Sequence, residues 1–203
     1  MPDTVVADAS APGSDAETAA AFEAAVRECG PAMLGLAGRL LVTERITSRL
    51  GAKSPLWTTP TTSSAWDDGA VAAQALDATR AAMYALDLIA ARTSGAVTRD
   101  VLETSEGLQE LAARQTTAAG DEVGPATLGY ERPDDLTSRT ALEWGTEAFG
   151  RLLVAYADGF DALGDDRDAA IETVAWMVRA EQLSRPRFRQ PVPVLYGDTT
   201  TTG

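Results

Sequence analysis

The stretch LEWGTEAFGRLLVAYADGFDAL, Leu142 to Leu163, decides the fold. At about 100° per residue, Leu142, Phe149, Leu152, Leu153, Tyr156, Phe160 and Leu163 fall within one arc, while Glu143, Glu147, Arg151 and Asp158 fall on the far side. A helix with one oily stripe must bury it against other helices, so the chain reads as an antiparallel helical bundle. Trp144 falls opposite the stripe, where it either stands exposed, as a common kind of interface anchor, or packs against the N-terminal helices.

The flanking segments supply matching faces. Downstream, Asp165-Asp166 place negative charge at the start of a helix from Arg167 to Leu183, where the helix dipole favours it. That helix shows Ile171, Val174, Ala175 and Val178 on one side and Trp176 and Leu183 on another, so it is expected to be covered from two directions. Upstream, the periodicity predicts a helix from Val71 to Arg92 with Ala72, Leu76, Thr79, Met83, Leu86 and Ala90 inward. A second runs from Arg99 to Thr117, capped by Thr98 and closed by Gly120, with Val101, Leu108, Leu111, Ala112 and Gln115 inward. The loop from Asp121 to Pro133 leads through an Asp134 or Asp135 cap into the central helix.

These four helices make a domain over 69–195. Residues 1–13 lack periodicity and are expected to be disordered. Ser14 and Glu17 form a capping-box pattern that opens an N-terminal helical extension, 14–50, interrupted by Gly30-Pro31. The stretch 51–68 is a loop rich in Pro, Thr and Ser, with Trp57 and Trp66 expected to pin it to the bundle. With three prolines, Arg185 to Pro193 is expected to lie extended, and 196–203 to be a disordered tail.

Composition removes whole classes of function. The 203 residues hold 17 Lys and Arg against 30 Asp and Glu, a net charge of −13, which disfavours nucleic acid and anionic membrane as partners. No histidine is present. That absence removes triads with a histidine base, imidazole zinc sites and the Glu-x-x-His pairs of carboxylate di-iron bundles. A single cysteine, Cys29, cannot form an internal disulfide, and the N-terminus shows no basic region before an apolar run. Both features point to the cytoplasm.

Carboxylates at helical spacing, Glu103, Glu106 and Glu110 on one helix and Glu143 and Glu147 on another, fall far from their own stripes and read as solvated faces. The polar residues nearest an inward face are Arg80, Tyr84 and Asp87 on the helix from 71, and Glu181 on the last helix. These four form the candidate ligand-binding set, with Trp144 the candidate interface residue. No catalytic residue, metal ligand or cofactor is assigned.

The run Ala75-Leu76-Asp77-Ala78-Thr79-Arg80-Ala81-Ala82-Met83-Tyr84-Ala85-Leu86, with Gln109-Glu110-Leu111-Ala112-Ala113-Arg114, Gly129-Tyr130 and Pro191-Val192-Pro193, resembles the ferritin-like domain of unknown function found in high-GC bacteria. The likeness covers about Val71 to Val194. It implies a ferritin-like four-helix bundle with no established activity. Where that family tends to carry Glu-His before Ala-Ala-x-Tyr, this chain has Thr79-Arg80, so the resemblance implies no di-iron site here.

The sequence reading is therefore an all-α, ferritin-like antiparallel four-helix bundle with an N-terminal helical extension. It is expected to be a protein-binding or assembly module rather than an enzyme, with a second copy or another protein as partner. Two alternatives remain: a small-molecule or metal site near Arg80 and Asp87, and an acidic regulator of a basic partner.

Overall fold

The computed structural model describes residues 65–163 and 166–188, together with two single helical positions, Ala24 and Glu28. Among them the chain is all-helical. Four helices, α1 (Ala70–Ala90), α2 (Ala96–Ala119), α3 (Ser138–Asp158) and α4 (Arg167–Ser184), are joined by turns and by 3-10 segments at Gly120–Glu122 and Gly159–Ala162. The expected disordered end 1–13, most of the extension 14–50 and of the loop 51–68, Pro191-Val192-Pro193 and the tail 196–203 lie outside the described residues. No helix of the described residues is long and apolar enough to cross a membrane.

Local chemistry sets the helix ends. Helix α2 lies between Gly95 and Gly120, whose φ values of 66° and 55° are left-handed and suit glycine. Gly95 therefore starts the helix earlier than expected. Thr98 falls inside the first turn, with its hydroxyl on Thr93 at 3.1 Å rather than on a backbone cap. Helix α3 is capped by Thr137, not by Asp134 or Asp135. The Thr137 hydroxyl accepts from the Thr140 N–H at 3.3 Å, and the Thr140 hydroxyl accepts from the Thr137 N–H at 2.9 Å. The Asp166 carboxylate caps α4 by accepting from the Ala169 N–H at 2.9 Å.

Contacts at the helix ends give the directions. Trp66 N–H donates to Ala118 O at 2.8 Å, so the start of α1 lies beside the end of α2. Ser138 Oγ donates to Arg92 O at 2.8 Å, so the end of α1 lies beside the start of α3. Thr104 Oγ1 reaches Leu183 O at 3.5 Å, and Phe188 lies against Gly145, which sets α4 antiparallel to both α2 and α3. Helix α1 packs on α2 and α3, and α4 packs on the same two. All four neighbouring pairs are antiparallel, while α2 and α3 run the same way.

Two helices running the same way need a connection that travels the length of the domain. Helix α1 is 21 residues, about 31 Å at 1.5 Å per residue. The segment 123–137 makes the return along α1. Arg80 Nη1 donates to Gly124 O at 3.2 Å, Tyr130 OH donates to Asp77 Oδ1 at 2.8 Å, and the Tyr84 and Tyr130 rings lie 5.8 Å apart.

The stripe that decided the fold is buried as expected for Phe149, Leu152, Leu153, Tyr156, Phe160 and Leu163, with Leu142 partly buried. Its last turn tightens into 3-10 geometry at Gly159, so the α-helix stops short of Leu163. Trp144 is a correction: it is only 5% exposed. The stripe marked one buried side of α3, but the helix packs against α1 on one side and α4 on another, which widens the buried arc past Trp144.

Helix α4 is buried on every side from Ala169 to Val178, as its two apolar faces indicated. Beyond it the chain turns instead of lying extended. Phe188 N–H donates to Ser184 O at 2.7 Å, and the fully buried Phe188 ring stacks on Phe149 at 5.5 Å. A Cβ on Gly145 would sit 2.4 Å from Phe188 Cε1, so only glycine leaves room for the ring. Pro186 is tolerated because its missing N–H falls past the last helical turn.

Candidate binding groove

The middle of the domain is polar but uncharged. Thr79 of α1, Gln115 of α2 and Tyr156 of α3 project inward and are almost completely buried. Tyr156 OH lies 2.5 Å from Thr79 Oγ1, Thr79 Oγ1 donates to Gln115 Oε1 at 2.7 Å, and Gln115 Nε2 donates to Tyr156 OH at 2.9 Å. With Tyr156 donating to Thr79, the three close a ring, and the Thr79 hydroxyl also lies 2.9 Å from the Ala75 carbonyl one turn earlier. Buried polar groups need such mutual partners.

Burial raises the Tyr156 phenol from 10.0 to about 12, and the hydrogen bonds of Thr79 and Gln115 pull only partly the other way. The residue stays a neutral phenol at ordinary pH. Its ring stands edge-on to Trp176 of α4 at 6.3 Å, and Trp176 stacks on Trp66 at 5.0 Å with 9° between planes. The centre thus holds a neutral ring beside stacked indoles.

Charge enters the interior of α4 in pairs. Glu172, 3% exposed, bonds Arg114 of α2 and accepts from Trp176 Nε1 at 2.9 Å. Glu181, 6% exposed, accepts from Arg185 Nε at 2.6 Å. Among the described residues no group of three or more Asp, Glu or Cys converges in a way that could hold a metal ion. Glu103, Glu106, Glu110, Glu143 and Glu147 are all exposed, on the faces where the sequence put them.

The four candidate ligand residues do not gather. Arg80 and Tyr84 are half-buried on the outer side of α1, where they hold the crossover segment through Gly124 and Tyr130. Asp87 is exposed, and Glu181, on α4, is occupied by Arg185 four residues further on. Burial, and then the Asp77 acceptor, raise the Tyr130 phenol above its ordinary value. Tyr130 therefore keeps its proton and its bond to the helix.

What the structure adds is a groove between α1 and α3, with a volume of about 490 Å³. Ala78, Ala81, Ala82 and Ala85 of α1 and Ala148 and Ala155 of α3 give it a floor of methyl groups. Trp144 and Leu152 add larger apolar surface, and Tyr130 to Pro133 of the crossover border it. A second hollow of about 550 Å³, beside Gln74, Gly150, Val154 and Asp158, shares Glu147, Arg151 and Ala155 with the first. Both volumes fall within the range of small-molecule pockets.

Trp144, which the sequence placed opposite the stripe, lines the groove wall and does not stand free. The alanines had a readable signal, since 78, 81, 82 and 85 follow helical spacing beside the Thr79 stripe. Abundant alanine elsewhere in the chain hid it. The chain matches no protein-family model, and neither a curated protein nor a solved structure is significantly similar to it.

Proposed function

We propose that the chain is a ferritin-like four-helix bundle that has no di-iron site and works through its surface, as a protein-binding or assembly module, with the α1–α3 groove as the working surface. The architecture is supported by the alternating directions of neighbouring helices and by one long crossover between α2 and α3, the connection that distinguishes ferritin-like bundles from simple up-and-down ones. The resemblance of Ala75 to Leu86 and the neighbouring motifs agrees with it.

The observation that carries the functional reading is the contrast between inside and outside. A carboxylate metal bundle brings acids from facing helices into its core. Here those facing positions carry Thr79, Gln115 and Tyr156, which hydrogen-bond to one another, and Glu172, a buried acid of α4, is held by Arg114 and Trp176. The open apolar space lies on the outside. Metal analysis of the full chain purified from cells supplied with iron and manganese tests the reading. Metal well below one ion per chain is expected, and stoichiometric iron or manganese bound to the folded domain overturns it.

A further inference from the structure

We infer that the groove's partner is a second copy of this chain, with α3 of one copy lying antiparallel on α3 of the other across a two-fold axis near Phe149. This rests on the reading of the groove as a binding surface and names its occupant. The first observation is charge. A molecule of net charge −13 repels its own copies wherever acidic faces meet. At the groove, Glu131 is followed by Arg132, and Glu147 lies one turn from Arg151, so the rim carries both signs.

The second observation is the register of that pair. Glu147 and Arg151 have side chains 68% and 64% exposed and approach each other only to 3.9 Å, a weak surface contact within one helix. In an antiparallel pairing centred on 149, Glu147 faces the partner's Arg151 and Arg151 faces the partner's Glu147. The same patch is then complementary to itself, as a two-fold interface requires.

The third observation is an apolar residue on the same face. Val154 is 43% exposed on α3, one of three large hydrophobic residues exposed among those described. It lies seven residues from Glu147, about 20° from it around the helix, so the same pairing covers it.

Sedimentation equilibrium of the full chain over a range of concentrations tests this with a charge-reversal series. Wild type is expected to form a dimer. Glu147→Arg and Arg151→Glu each bring like charges together twice in the symmetric pair, and each is expected to weaken association about tenfold or more. The double variant Glu147→Arg/Arg151→Glu restores opposite charges and is expected to recover dimerisation. Both side chains are exposed, and circular dichroism of each variant should match wild type. Recovery in the double variant is the supporting result. A dimer indifferent to all three variants, single variants that weaken it without rescue, or a wild-type monomer at every concentration overturns the proposal. None of these would add a bound metal ion, so failure here is separate from failure of the metal-free reading.

Discussion

Replacing Glu172 with alanine is expected to lower the unfolding free energy by about 3 kcal/mol or more, the range for removing one partner of a buried ion pair. The residue accepts from Trp176 Nε1 at 2.9 Å and bonds Arg114, whose side chain is 23% exposed. Its loss removes the acceptor for a buried indole N–H and an anion beside a largely covered guanidinium. Partial exposure of Arg114 keeps the effect towards the lower end of the range. Urea unfolding followed by circular dichroism reads the change. Glu172→Gln keeps an acceptor for Trp176 and should lose distinctly less. Equal losses in the two variants would mean that the indole bond contributes nothing.

Trp176→Ala is expected to cost about 3–5 kcal/mol, as for other large buried aromatic side chains. Trp176 is fully buried, stacks on Trp66, stands edge-on to Tyr156 and donates to Glu172, so one truncation touches three partners. The near-ultraviolet dichroism of the stacked indoles should vanish in both Trp176→Ala and Trp66→Ala. The stability loss should be larger in the former, because the Trp66 ring lies at the edge of the core. Coupling between Glu172→Ala and Trp176→Ala should be strong, since the two residues share a bond. A simple sum of the two losses would contradict the contact.

The sequence placed Trp176 on a covered face but did not find its partners, and it did not single out Glu172; the reason is physical. Periodicity states which side of a helix is covered, and it placed Thr79, Gln115 and Tyr156 inward. It carries nothing about the axial register between helices, which decides whether three inward groups meet within hydrogen-bonding distance. Glu172 was hidden by a different circumstance. On a helix buried all round, no wheel separates an interior acid from an exposed one.

Trp144 shows the converse error. A stripe drawn through the largest apolar residues underestimates the buried arc of a helix that packs against two neighbours. The caps were missed more locally: Asp134 and Asp135 are good cap residues, but the reciprocal Thr137 and Thr140 bonds lie next to the helix and fix its start. Exposed glutamates were read correctly, because a carboxylate stays in water wherever the backbone allows it.

The helices meet around a closed, neutral centre, and the ionisation of Tyr156 tests that most directly. Its phenol is raised from 10.0 to about 12, so folding favours the protonated form. The sign follows: the contribution is fully present below pH 10, where folded and unfolded chains both hold the proton. It is lost as pH rises towards 12, where the unfolded chain has already released it. The total is on the order of 3 kcal/mol at 1.36 kcal/mol per pKa unit. Phenolate absorbance of wild type against Tyr156→Phe, measured alongside far-ultraviolet dichroism, isolates this one residue. The expected result is no Tyr156 phenolate while the helices remain folded, and its release near pH 12 or together with unfolding. Ionisation of Tyr156 near pH 10 in a fully helical protein would contradict the closed centre.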